Sequence, residues 1–174
     1  MPKSNLMLIL QVITVFFVAV AMALSLAHAL EFPGKMRLPK ESYLATQTIY
    51  YPGFTIGGFG EALGLVSTLL LVFWIPRSNP AFPWTLVAFV SLLAMQLVFW
   101  MVTQPVNRHW VAGLQLSGVA QSFFSPGRGA TQNAGDDQWK RLRNRWEYSH
   151  IVRAVLAVVS LISVTIAIVV YRSR

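Results

Sequence analysis

The sequence predicts an all-α integral membrane protein, an antiparallel four-helix bundle whose polar loops and polar pocket gather at one end. Three observations point there. The chain of 174 residues is 55% hydrophobic and 11% charged, far from the balance of a soluble domain. It contains four apolar runs, near residues 6–30, 56–75, 84–103 and 151–171, each matching the roughly 20 helical residues that cross a hydrocarbon core of about 30 Å. The joints between the runs carry proline, glycine and aromatic residues, which break helices and favour the membrane interface. We treat 1–174 as one domain, since no internal repeat divides it.

The first run follows Lys3 and ends in the small-residue pattern "AHA", Ala27 to Ala29. A secretion signal has that shape, but its apolar core is shorter, so the run is expected to be a retained span. Pro33, Gly34 and Pro39 are expected to end it. "YPGFTIGGFG" leads into the second run and sets Tyr50, Tyr51 and Phe54 where rings favour the interface. "IPRSNPAFPW" is a tight turn, which makes spans two and three a helical hairpin. A longer connection, from about Gln104 to Gly135, carries the glycine-rich tip "SPGRGATQNAG". The fourth helix is expected to begin near Asp137, capped by Asp136 or Asp137, and to run through the last span to Tyr171.

A net charge of +8 suggests nucleic acid at first sight. The basic residues instead cluster beside apolar runs, where they meet lipid headgroups, so a lipid bilayer is the expected partner and no nucleic acid is. Their excess on the side of the longer loops predicts that those loops face the cytoplasm. The expected location is a bacterial inner membrane, with both termini on one side. The absence of cysteine excludes disulfides, thiolate metal sites and cysteine nucleophiles.

Antiparallel spans bring the end of the first, the start of the second, the end of the third and the start of the fourth to one face. His28 and Glu31, Glu61, Asn107, and Glu147, His150 and Arg153 all belong there. At 100° per residue, Trp139, Arg143, Trp146, Glu147, His150, Arg153 and Ala157 share one side of the fourth helix. Polar groups at membrane depth turn inward to partners. His150 and Arg153 can also snorkel to the interface, but the short side chain of Glu61 must be paired or protonated. The glycines around it, 57, 58, 60 and 64, serve either close helix packing or room for a flat ligand.

His28-x-x-Glu31 and Glu147-x-x-His150, with Glu61, loosely resemble a carboxylate–histidine metal bundle. A single divalent ion on these five residues, or a haem held by His28 and His150, stays open beside a paired polar cluster without metal.

"QPVNRHW" after the third span and "RWEYSHIVRAV" at the fourth resemble the Pro-x-Asn and Trp-x-x-x-His-x-x-Arg motifs of the anthrone-oxygenase-like membrane proteins. Pro105, Asn107, Trp146, His150 and Arg153 carry the resemblance, which extends over nearly the whole chain. The segment from His28 to Pro33 is more polar than the version associated with that family. The resemblance implies a monooxygenase that turns a lipophilic aromatic, anthrone- or quinol-like, into a quinone, with no cofactor required. It implies His150 or His28 as base, Glu61 or Glu147 orienting the imidazole, Arg153 and Asn107 as oxyanion donors, and Trp139, Trp146, Tyr50 and Tyr51 as substrate walls. The other class open to such a chain is a non-enzymatic lipid-binding protein or accessory subunit, as a homo-oligomer or within a larger membrane complex.

Overall fold

A computed structural model describes residues 3–50, 53–110 and 136–172. The described chain is helical, with no strand: α1 Lys3–Lys35, α2 Lys40–Gln47, a 3-10 turn Thr48–Tyr50, α3 Gly53–Trp74, α4 Ala81–Val98, a π turn Phe99–Thr103, α5 Gln104–Trp110 and α6 Asp136–Arg172. Four of its helical stretches are long and apolar enough to cross a membrane. The chain is a membrane helical bundle.

Helices α1, α3, α4 and α6 close a ring in which α1 packs on α3 and α6, and α4 on α3 and α6. The α3–α4 side is the lightest of these contacts. Bilayer hydrocarbon is as apolar as leucine, so close packing and hydrogen bonds must hold such a bundle together. The interior accordingly contains small residues, among them Ala21, Ala81, Ala88, Ala157 and Ala167, interleaved with Leu92 and Met95. Ser160 Oγ donates to the Ala88 carbonyl at 2.9 Å, tying α6 to α4. The glycines of α3 differ in what surrounds them. A Cβ on Gly57 would fall 2.5 Å from Leu24, one on Gly60 2.9 Å from Val20, and one on Gly64 3.4 Å from the backbone of Phe17, so these three let α1 approach. Gly58 faces open space.

Two joints differ from the sequence expectation. Pro33 does not end the first helix: it lies inside α1, which continues to Lys35. Proline removes one intrahelical donor without forbidding the turn, and just beyond it the Met36 amide still donates to the Phe32 carbonyl at 3.0 Å. The third span likewise continues beyond Thr103, through the π turn into α5. Pro105 has no N–H to offer the Met101 carbonyl four residues back; Arg145 Nη2 of α6 donates to that carbonyl at 3.2 Å. In the α3–α4 turn, Asn79 Oδ1 accepts from the Ala81 amide at 2.9 Å, capping α4. Most of the expected loop, residues 111–135, lies outside the described residues.

Were each of the four candidate spans to cross once, the chain would return to the side on which it began. Cysteines introduced at Ser4 and Ser173 are therefore expected to react alike with an impermeant maleimide in sealed vesicles. Protection of one and labelling of the other would mean an odd number of crossings.

Candidate functional site

The loop-side end of the bundle holds a cavity of about 430 Å³. Its wall includes His28 of α1, Glu61 of α3, Asn107 of α5, and His150 and Arg153 of α6, so the five side chains expected to converge line one space. The periodicity of α6 accounts for its share: Trp146, Glu147, His150 and Arg153 are buried, while Arg141, Arg145 and Tyr148 on the other side are exposed.

Burial makes each charge seek a partner. Arg153 Nη2 donates to both carboxylate oxygens of Glu61 at 2.8 Å, and Gln96 Nε2 of α4 adds a bond to Oε2 at 3.2 Å. Arg153 Nη1 stands 3.2 Å from His150 Nδ1, and its guanidinium lies 5.0 Å from the Phe99 ring centroid. The π turn thus closes over the ion pair. Trp146 Nε1 donates to Asn107 Oδ1 at 2.7 Å, and the Trp146 and His150 rings are 4.2 Å apart. The motif residues after span three and at the start of span four are therefore bonded to one another.

His28 sits among aromatic rings: Tyr50 at 4.5 Å, Phe54 at 4.6 Å, Trp146 at 5.1 Å and His150 at 4.1 Å between centroids. Behind it lies a second polar cluster, in which Glu31 and Glu147 are joined by a lysine that sequence reasoning missed. Lys35, 5% exposed, places Nζ 3.3 Å from His28 Nδ1, 2.7 Å from Glu31 and 3.9 Å from Glu147. It also lies over the Tyr50 and Trp146 rings at 4.8 and 5.0 Å, within reach of a cation–π attraction. Tyr43 donates to Glu147 at 2.9 Å and Tyr50 to Glu31 at 2.6 Å. Burial, reinforced by the Glu147 carboxylate, pushes the Tyr43 phenol far above its ordinary range. The Tyr50 phenol is raised in the same way by burial and its bond to Glu31. Both phenols stay protonated and act as donors.

The expected partners of the imidazoles are thus exchanged. Neither Glu61 nor Glu147 holds a histidine N–H: Glu61 is bonded by Arg153 and Gln96, and Glu147 by Tyr43. Of the expected substrate walls, Tyr50 and Trp146 line the cavity, but Trp139 does not. It is buried beside Tyr43 and under Arg143, with ring centroid distances of 5.8 and 4.9 Å. Tyr51 lies outside the described residues.

As candidate metal ligands, His28, Glu31, Glu61, Glu147 and His150 do not assemble. Among the described residues no three histidine or acidic side chains are arranged to hold an ion, and the carboxylates face cations and hydroxyls instead. His28 and His150 are in ring contact, which leaves no room for a porphyrin between them.

Most of the remaining cavity wall is apolar. Leu24, Phe54, Ala62 and Leu65 line its depth, while Phe59, Val66 and Trp100 line it and are also exposed on the outside of the bundle. The cavity therefore abuts the surface that faces hydrocarbon, along the lightly packed α3–α4 side. On its wall Ser25 Oγ, Thr55 Oγ1 and His150 Nε2 are buried without a hydrogen-bond partner among the described residues.

Residues 47–163 match the family model described as anthrone oxygenase. No curated protein and no solved structure matches the chain.

Proposed function

We propose, from the premise that the chain belongs to the anthrone oxygenase family, that it oxidises a flat, lipophilic aromatic ketone or phenol drawn from the bilayer. One observation carries the reading: an apolar cavity of about 430 Å³ that meets the lipid-facing surface and sets two histidines and a buried ion pair on its inner wall. Its size is that of a small-molecule site, and a few convergent polar groups in an apolar cleft are what orient such a ligand. The glycine at 58 leaves the wall flat there.

The chemistry asked of the site is modest. A carbon acid conjugated through the ring system with a carbonyl loses a proton, and the resulting enolate is electron-rich enough to reduce dioxygen and combine with it. The carbon-bound peroxide regains a proton, then loses the second carbon-bound hydrogen and hydroxide, which leave together as water. One dioxygen is consumed, the ring carbon becomes a carbonyl, and protons balance. The protein must bind the plane, stabilise the oxyanion and hold the travelling proton. Trp146, Tyr50 and Phe54 supply the walls, and the polar cluster supplies the rest.

Purified protein in lipid nanodiscs, given anthrone and air, is expected to consume one dioxygen per anthraquinone formed. His150→Ala is expected to lower the rate by at least about a hundredfold, while Tyr148→Phe, on the exposed side of α6, leaves it intact. Full turnover in His150→Ala would remove the site. Binding of anthrone without oxygen uptake would make the protein a carrier of such molecules.

A further inference from the structure

We infer that His28 and His150 are held as Nε2–H tautomers and act as a pair of hydrogen-bond donors to one oxygen of the ligand. They are not the bases that abstract its proton. The inference deepens the oxygenase reading, on which the identity of the ligand rests.

A cation stands behind each ring. Arg153 Nη1 lies 3.2 Å from His150 Nδ1. A guanidinium carries five N–H groups and no acceptor, so in that contact Nδ1 must supply the lone pair. Lys35 Nζ lies 3.3 Å from His28 Nδ1 and is ion-paired with Glu31 at 2.7 Å. An ammonium also only donates, and His28 Nδ1 must accept. The nearest carboxylate oxygen to that nitrogen, Glu31 Oε2, is 3.9 Å away, too far to accept a bond from a proton on it. A doubly protonated ring would turn an N–H against the N–H of its cation in both cases. The single proton of each neutral imidazole is left on Nε2.

Those protons have use only for an acceptor from outside. His150 is 4% exposed, and its Nε2 has no partner among the described residues, a costly state for a buried donor. The His28 and His150 ring centroids are 4.1 Å apart on the same cavity wall. Adjacent rings bearing N–H groups suit a carbonyl oxygen, which has two lone pairs. As the carbon acid gives up its proton, the bonding pair moves into the ring system and onto that oxygen. Both hydrogen bonds strengthen as the charge grows, so they favour the enolate over the ketone. The proton itself passes to Glu61, the one carboxylate on the cavity wall among the described residues. Arg153 then joins the two functions, bonding the acceptor carboxylate and fixing the donor imidazole.

The protein contains three histidines, and the third, His109, is exposed, which makes the spectroscopy tractable. In histidine-¹⁵N-labelled protein in nanodiscs at neutral pH, assigned with His109→Gln, two-bond proton–nitrogen correlations are expected to show two rings with bare Nδ1 and protonated Nε2. A proton on Nδ1 of either ring, or an imidazolium, overturns the proposal. A second arm uses two probes under anaerobic conditions, anthrone and 9,10-dihydroanthracene, which share the three-ring skeleton but not the oxygen. Quenching of tryptophan emission is expected to give anthrone an advantage of about tenfold or more, reduced to near parity in His150→Ala. Equal affinity for both in the wild type also overturns it. Failure of both to bind would withdraw the functional reading and leave the tautomers to decide this one.

Discussion

Replacing Arg153 by methionine is expected to destabilise the protein by about 3–5 kcal/mol, the cost of stranding a buried charge. Glu61 is 7% exposed and takes its strongest bonds from Arg153; the remaining bond from Gln96 comes from a neutral amide at 3.2 Å. The carboxylate must then protonate or draw in water, and either way the side-chain tie between α3 and α6 is lost. The diagnostic is the double variant Glu61→Leu with Arg153→Met. An apolar pair of similar volume removes the desolvation penalty, so it should recover most of the loss while losing function. Thermal unfolding in nanodiscs gives both comparisons. A single variant as stable as the wild type would mean that water already reaches the pair.

The second large effect separates two glycines on one helix. Gly58→Leu places its side chain in the open space of the cavity, where it is expected to leave the fold intact and reduce anthrone binding by at least about tenfold. Gly64→Leu starts 3.4 Å from the carbonyl carbon and oxygen of Phe17. Backbone cannot step aside as a side-chain tip can, so this change is expected to pry α1 from α3 at a cost of about 1–3 kcal/mol or more. Thermal unfolding together with probe titration distinguishes the outcomes. Equal stability losses in the two variants would mean that position 58 is packed in solution.

The spans and the inward face of α6 were legible because they depend on strong, local rules: apolar length sets the crossing, and the 3.6-residue period sets the side that is buried. The same period misplaced Trp139. It lies seven residues before Trp146, on the same face but about 10 Å higher along the axis, and so stands above the cavity. Periodicity reports an angle and not a height. Lys35 was missed for a different reason. Reading Pro33 as the end of α1 put Lys35 in an interfacial loop, among the charges that meet lipid headgroups. Once the helix continues, His28, Glu31 and Lys35 fall at successive turns of one face, and the i, i+4 spacing of Glu31 and Lys35 becomes the signal that could have found them. The π turn has no comparable signature. Pro105 marks that a carbonyl is freed nearby, but its acceptance from Arg145 depends on how α4 meets α6.

The rings of Phe59 and Trp100 form the cavity wall and the lipid-facing surface at once. A ligand entering beside them comes from a two-dimensional solvent, and its effective concentration is a mole fraction among lipids rather than an amount per litre of buffer. Occupancy then follows how strongly the molecule partitions into the bilayer and how much bilayer is present. A weak intrinsic contact suffices for a molecule that the membrane has already gathered. Adding inert lipid dilutes the ligand as surely as adding water dilutes the substrate of a soluble enzyme.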